Sequence, residues 1–471
     1  MPYKDFREFV ETLEAKGQLK RVKKEVDWNL ELSHVAKINE TRGRGEGLLF
    51  EDVKDYPGKR VAINLVNTRE KAALALGLDV TSRYLDMAQH WAAVTKEKIP
   101  PEWVDWCLWK ENTITGDDVD LYNLPTPLFN LKDGGRYLGT AHQLINKNMK
   151  TGRINLGTYR GMILGKNRLG QNLQIGKDAE VDLRDYTKAN IPMPVALTIG
   201  VDPVLFICSA GVFPPDMSEY DIAGGLRGEP VPVTRGELVD LPIPATAEIV
   251  LEGEFLPEDR EWEGPFGEYT GLYGQQAHPQ PVMTVKAIHY RNNPILWASL
   301  AGMPVTDTHV LQTLARTSGI WNELQKMGIP GIKAMYLPPM AGGRMIAVVS
   351  IDQQYPGHSM QVGLAIFTTT PGNYGLKMVI VVDSDIDPEN WDQVLYALGF
   401  RYQPDRGTQI VQRGRATPLD PSIPKGERLF TSRIIIDTCY PWEWKEKPVT
   451  VVLDEETRNK IEARWDEYLT P

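Results

Sequence analysis

From about residue 115 to residue 300 the chain consists of short β-rich runs separated by Gly and Pro turns, and no other stretch restricts its fold so strongly. The runs include Val195-Ala-Leu-Thr-Ile-Gly200, Glu248-Ile-Val-Leu-Glu252 and Met283-Thr-Val-Lys-Ala-Ile-His289, which predict a β-rich domain. The flanks read differently. Upstream, Phe6, Phe9, Val10 and Leu13 recur at helical spacing, with Asp5 placed to cap that helix and Gly17 to end it. Helical patterns continue over residues 30–41 and 69–76 until Pro100-Pro101 and the Trp-rich stretch 103–109 interrupt them. Downstream, helical stretches 308–327 and 391–398 mix with apolar runs 345–350 and 377–382, which point to an α/β layer. A last amphipathic stretch, 455–468, carries Ile461 and Trp465 on one side, followed by Leu469, and can pack on its own core or on a neighbouring subunit. The expected fold class is α/β in the broad, α+β sense, and 471 residues suffice for more than one core.

Several functions are disfavoured by what the chain lacks. A net charge of −10 without a lysine-rich tract predicts neither a nucleic-acid nor an anionic-membrane partner, so a small anionic substrate would need a local basic site. Three cysteines, far apart and without Cys-x-x-Cys, fit the reducing cytoplasm rather than a disulfide framework. The opening Met1-Pro2-Tyr3-Lys4-Asp5-Phe6 has no apolar signal core, and the apolar stretch 193–213 is broken by Asp202-Pro203, so a secreted or membrane-spanning protein is not expected. None of the seven histidines lies between residues 143 and 277, which leaves oxygen ligands, and hence Mg, Mn or an alkali cation, for any metal in the β-rich domain. Phosphate-binding P-loop, Gly-x-Gly-x-x-Gly and Gly-x-Ser-x-Gly patterns are missing.

Four segments carry residues suited to chemistry. In Asn155-Leu-Gly-Thr-Tyr-Arg160, Asn155 can offer an amide oxygen to a hard cation and Arg160 a planar fork to a carboxylate, or the pair can simply end a solvated strand. Glu263-Gly-Pro-Phe-Gly-Glu268 holds two acids on a shaped loop, where one can stay ionised against an arginine while the other, poorly solvated, keeps a proton; the alternative is an exposed acidic turn. Ser218-Glu219-Tyr-Asp221 runs into Gly224-Gly225-Leu-Arg227-Gly-Glu-Pro230, a phosphate approach or a plain turn. Lys377, ahead of an apolar strand, is a phosphate anchor or a snorkelling surface residue.

In this order, together with Asp5-Phe-Arg-Glu-Phe-Val10, Pro244-Ala-Thr-Ala-Glu-Ile-Val-Leu-Glu-Gly-Glu254, Tyr290-Arg-Asn-Asn-Pro294 and Val382-Asp-Ser-Asp-Ile-Asp-Pro388, the chain resembles the UbiD family of prenylated-FMN-dependent (de)carboxylases over nearly its whole length. The resemblance implies an N-terminal α/β region (1–114), a central split β-barrel related to flavin reductases that binds the cofactor (115–305), and a C-terminal α/β oligomerisation domain with the terminal helix (306–471). It implies Arg160, Glu263 and Glu268 as the catalytic set, Glu268 being the proton donor and Glu263 the partner of Arg160. It implies cofactor contacts from Asn155, Thr158, Tyr159, Arg160, Gln174, Lys177, Glu219 and Lys377, with prenylated FMN bridged to Mn2+ or Mg2+ and accompanied by K+. Asn155 and Glu219 match two metal ligands. Asp178 falls where the family carries a histidine, and a one-residue shift would put Lys177 there. The implied activity is reversible decarboxylation of an aromatic, heteroaromatic or conjugated unsaturated acid, with CO2 as the other partner, a flavin prenyltransferase as cofactor supplier, and a homodimer or homohexamer as the assembly. Alternatives are a carboxylase subunit acting on a phenol or arene, a CoA-thioester decarboxylase, or a non-catalytic scaffolding subunit. His309, Arg316 and residues 171–174 are candidates for substrate selectivity.

Overall fold

The structure, a computed structural model, describes residues 3–469 apart from 43–44, 95–97, 212, 214–216, 275, 425–429, 450 and 452. A nine-stranded sheet at its centre curls into an open half-barrel. Two long antiparallel strands, Ile249–Glu263 and His278–Tyr290, form the spine, with Ile249 opposite Tyr290 at one end and Glu263 opposite His278 at the other. The first strand is almost continuously buried through Phe255 and then alternates outward, as a sheet does when one face leaves the core. Met193–Ile199, His142–Lys147 and Ile154–Gly157 extend the sheet from one side of this spine. Arg168–Gln171, Gly161–Gly165 and Tyr137–Gly139 extend it from the other, while Asn112–Thr115 pairs with the end of His278–Tyr290.

The expected opening helix is Phe6–Ala15, capped by Asp5, whose carboxylate accepts the Glu8 N–H at 3.0 Å. Its buried Phe6 stacks on Trp297 at 4.9 Å between centroids, and Phe206 meets the same indole at 4.5 Å. Trp297 belongs to the strand Ile295–Ala298, which follows the central sheet in sequence yet pairs with Arg60–Ile63 at the edge of a four-stranded N-terminal sheet. One apolar core therefore runs through both regions. The fully buried Glu248 sits at this junction. It accepts hydrogen bonds from Arg7 (Nε 2.7 Å, Nη2 2.9 Å), Arg291 (2.9 Å) and the Ile295 amide (3.0 Å).

The last third is the expected α/β layer: a five-stranded sheet with Ile346–Ile351, Met378–Asp383 and Phe430–Asp437 parallel at its centre. Alternate residues serve opposite faces. Val349, Val379, Val381 and Ile435 pack with Asp307–Met327 and His358–Thr368, whereas Val348, Ile380 and Val382 pack with Trp391–Phe400. The terminal segment forms Glu455–Glu462 and Trp465–Tyr468, and neither helix has a buried residue, so it does not pack on this chain's own core. Among the described residues no helix is long and apolar enough to cross a membrane.

Because Arg7 is one of two guanidiniums neutralising a carboxylate with no access to water, Arg7→Ala should destabilise the fold by about 2 kcal/mol, less than complete loss of a buried pair because Arg291 remains. Urea unfolding of wild type and variant measures this; a change within about 0.5 kcal/mol would mean that Arg7 is a surface residue energetically.

Candidate active site

Sheet register assembles the first cluster. Gln171 pairs with Gly161, so Asn172 and Arg160 lie side by side just beyond the paired segment, where the Asn172 amide bonds the Arg160 carbonyl at 3.0 Å. Glu263 ends the long strand and is fully buried. Arg160 grips it with both arms of its fork, Nε to Oε1 at 2.8 Å and Nη2 to Oε2 at 2.9 Å. Tyr137 donates to Oε1 at 2.9 Å and Asn172 to Oε2 at 3.1 Å. The remaining terminal nitrogen of Arg160 donates to Glu268. The guanidinium also lies over the Phe266 ring, 5.2 Å from its centroid.

The loop carrying Glu268 is fixed from outside. Gly267 donates to Asp133 at 2.9 Å, Gly134 to the Pro265 carbonyl at 2.7 Å, and His309 bonds the Tyr269 carbonyl at 2.7 Å. Any side chain at Gly134 would collide with the Gly264 carbonyl, so the two loops approach as closely as backbone allows.

The two acids consequently differ. Burial acts to raise the Glu263 carboxyl, but the hydrogen bonds and charge of Arg160, with Asn172 and Tyr137, outweigh it and hold Glu263 below the usual range. Burial raises Glu268 above that range, with Arg160 opposing through a single contact. The structure thus brings Arg160, Glu263 and Glu268 together with one acid ionised and the other inclined to keep its proton.

A second cluster forms beside the strand Ile154–Gly157. Glu219 and Asp178 are the first residues of the helices Glu219–Arg227 and Asp178–Ala189, where unpaired backbone N–H groups favour negative charge. Glu219 accepts the Leu156 amide at 3.0 Å, and Arg153 reaches Glu219 at 3.5 Å and Asp178 at 3.4 Å. Burial pushes the Glu219 carboxyl up to about 7. The buried Asn155 donates its amide to Asn146 at 2.8 Å, which leaves its oxygen available. The Tyr159 hydroxyl accepts the Ala179 amide at 3.3 Å and lies in the field of Asp178 and Glu219. Two carboxylates and an amide oxygen fit a hard divalent cation. Among the described residues no three His, Cys, Asp or Glu side chains gather to hold a metal by themselves, and Arg153 is the nearest counter-charge to both acids.

The other expected residues hold partners of their own or are exposed, apart from Lys177, which takes the N-cap position of the helix that begins at Asp178. Thr158 donates to the His142 carbonyl at 2.9 Å, Gln174 is exposed, and Lys377 is occupied by Asp420 at 3.2 Å and Ser422 at 2.7 Å. Lys177 is half-buried; burial and nearby arginines push its ammonium down to about 8. His309 is structural: its ring closes a capping box with Thr306, and burial pushes it down to about 4. Tyr137 and Arg153 are not singled out by sequence, and Asn172 is included only within the 171–174 stretch read for substrate selectivity, not as a partner of Glu263. Arg153 carries a signal as a cation two residues before Asn155, whereas Tyr137 carries none.

Known proteins match the chain over most of its length. Residues 10–91, 106–304 and 309–438 match the N-terminal, Rift-related and C-terminal domains of 3-octaprenyl-4-hydroxybenzoate carboxy-lyase, UbiD. A phenolic acid decarboxylase of Bacillus subtilis (strain 168) is 34% identical over 460 residues, 94% of this chain and 93% of that protein. The vanillic acid decarboxylase of Sedimentibacter hydroxybenzoicus in closed form superposes with TM-score 0.87 at 29% identity over 100% of both chains. The UbiD-class enzyme HmfF of Pelotomaculum thermopropionicum, in complex with FMN, superposes with TM-score 0.88 at 30% identity over 98% of this chain and 100% of that one. An evolved dimeric form of HmfF, in complex with prFMN, does so at 0.81 and 30% over 95% and 97%. With its three regions matched in order and the whole fold shared, the chain belongs to the UbiD family of carboxy-lyases.

Proposed function

We propose that the protein is a reversible decarboxylase of aromatic, heteroaromatic or conjugated unsaturated carboxylic acids that works with prenylated FMN. The observation that carries this reading is a single guanidinium, Arg160, shared between an acid held ionised, Glu263, and an acid inclined to keep its proton, Glu268. Relatives named for phenolic and vanillic acid decarboxylation, and HmfF in complex with FMN or prFMN, support the substrate class and the cofactor.

When bound, prenylated FMN supplies the electron sink for the bond that joins the carboxyl group to the substrate. The chain's own residues do the rest. Three N–H groups of Arg160 are committed to the two glutamates, and one remains on each terminal nitrogen to donate to a substrate carboxylate. A carboxylate arriving there competes with Glu268 for Arg160, and Glu268 with less of its cation holds its proton more firmly. After CO2 leaves, Glu268 gives that proton to the carbon that carried the carboxyl group. A carboxylate and a proton become a C–H bond and CO2, and carboxylation runs the same transfer backwards.

The cofactor phosphate would meet Asn155, Glu219 and Asp178 through Mn2+ or Mg2+, with K+ beside it and Thr158, Tyr159, Gln174, Lys177 and Lys377 as further contacts. The division at residues 1–114, 115–305 and 306–471, a homodimer or homohexamer, a cytoplasmic location and cofactor supply by a flavin prenyltransferase belong to the same proposal.

Co-expression with a flavin prenyltransferase, followed by CO2 release over a panel of aryl acids, tests the reading; a flavin-loaded protein inert toward every acid would sink it. Glu268→Gln should keep the flavin and lose turnover by on the order of 10²-fold or more. Near-normal turnover would remove Glu268 from proton transfer. Arg160→Lys should raise KM and lower kcat together, since an ammonium cannot reproduce the planar fork; a variant changed in stability alone would make Arg160 structural. If Asp178 is a ligand, Asp178→Ala should weaken metal binding about 10-fold or more and lower flavin content on purification. Metal and flavin at wild-type levels in Asp178→Ala but lost in Lys177→Ala would move the assignment by one residue.

A further inference from the structure

Four cations gather near the loop that carries Glu268, and none of them forms an ion pair among the described residues. Arg316, on the helix Asp307–Met327, is buried and donates to Gln312 (2.9 Å) and to the carbonyls of Pro371 (2.6 Å) and Tyr374 (3.1 Å). Arg344 shares the same Gln312 oxygen at 3.2 Å and lies over the rings of Tyr269 and Tyr374, 5.5 and 5.2 Å from their centroids. Arg415, exposed at the rim, lies over Tyr374 at 4.6 Å, and Lys177 lies within the electric field of all three arginines. Among the described residues none of the four has a carboxylate at ion-pair distance, whereas Arg160 and Arg153 at the site each do.

Neutral partners satisfy donors but do not cancel charge. A guanidinium does not discharge inside a protein, so gathering three of them with an ammonium is costly unless an anion completes the group. Burial and the facing Arg344 act against the charge on Arg316 in the same direction. Two buried polar atoms also lack partners here: Nε of Arg344 and the hydroxyl of Tyr269, which is 8% exposed and lies in the field of Arg316. Tyr269 follows Glu268 directly, and Glu268 itself feels Arg344. The cluster therefore borders the acid at which the substrate carbon must lie.

We propose that Arg316, Arg344, Arg415 and Lys177, closed by the Tyr269 hydroxyl, form an oxyanion subsite that receives a second anionic group of the substrate, so that this enzyme acts on aromatic acids bearing two anionic groups. The inference rests on the decarboxylase reading above and assigns its substrate class. The shared chemistry is an oxyanion, which the cofactor phosphate could also supply, and the experiment separates the two sources.

Benzoate and isophthalate are compared on the flavin-loaded protein by calorimetric binding and by KM, for wild type, Arg344→Ala, Arg344→Lys and Arg415→Ala, with flavin absorbance recorded on each preparation. Wild type should favour isophthalate. Arg344→Ala should lower the isophthalate-to-benzoate affinity ratio about 10- to 100-fold, with Arg344→Lys recovering part of it and Arg415→Ala, whose side chain is exposed, losing less. An unchanged ratio in both alanine variants overturns the subsite, as does a wild type that binds the two acids alike. Loss of flavin with an unchanged ratio also overturns it and assigns the cluster to the cofactor phosphate. If neither acid is turned over, the decarboxylase reading is what suffers, while the binding ratio still decides the subsite.

Discussion

The two-armed contact between Arg160 and Glu263 is the interaction on which the site depends. A fully buried carboxylate is tolerable only if every lone pair has a partner, and Glu263 has four: two from Arg160, one from Tyr137 and one from Asn172. Those donors come from separate elements of the curled sheet, so the pair forms only when the curl is correct. Removing one member of such a pair costs about 3–5 kcal/mol because the other charge stays buried. The same contact fixes the direction in which the rest of the guanidinium points, toward Glu268. Structure and chemistry thus converge on one side chain: Arg160 closes the sheet through Glu263 and sets the charge seen by substrate through its remaining N–H groups.

Glu268 acquires its different character from what it lacks. It has one contact with Arg160 where Glu263 has two, and it sits on a loop rather than on a strand. A loop residue can act as a general acid only if its position is defined, because proton transfer needs hydrogen-bond reach. Here the definition comes from neighbours: Asp133 and Gly134 hold one end of the loop, and His309 bonds the carbonyl of the very next residue, Tyr269. His309 therefore serves the acid without touching it, and its neutral state, favoured by burial, suits a hydrogen-bonding strut.

Local patterns made the elements legible from sequence, and distant pairings stayed hidden. The spacing of Phe6, Phe9, Val10 and Leu13 and the Asp5 cap predict a helix that the structure contains, because both depend on residues a few positions apart. The runs around 195–200, 248–252 and 283–289 likewise become strands, though the spine extends to 15 and 13 residues, farther than the apolar runs suggest. Its outer part alternates toward solvent and carries charged side chains, so hydropathy undercounts it. Ile295–Ala298 gives no sign that it joins the N-terminal sheet, since only three-dimensional register decides that. Arg160, Glu263 and Glu268 stood out through residue type and family resemblance. That Tyr137 and Asn172, 126 and 91 residues from Glu263, are its partners emerges only once the strands are paired.

Net charge conceals how unevenly the chain distributes its ions. The total of −10 implies a protein that repels small acids, yet cations outnumber acids where the substrate would lie. Around Asn155 the arrangement is reversed, with Glu219 and Asp178 at two helix N-termini sharing one arginine. Lys177 stands between the two regions, next to Asp178 in sequence and within the field of Arg344. Both imbalances have the same physical reading. A protein carrying an acid-rich cradle and a cation-rich pocket a few residues apart would lower its energy by pairing them directly, as it does at Arg168 with Asp259 and Glu261. Keeping them separate leaves each to be completed from outside, by a cation at one and an anion at the other, and that separation matches the needs of a site that must hold a charged cofactor and a charged substrate at once.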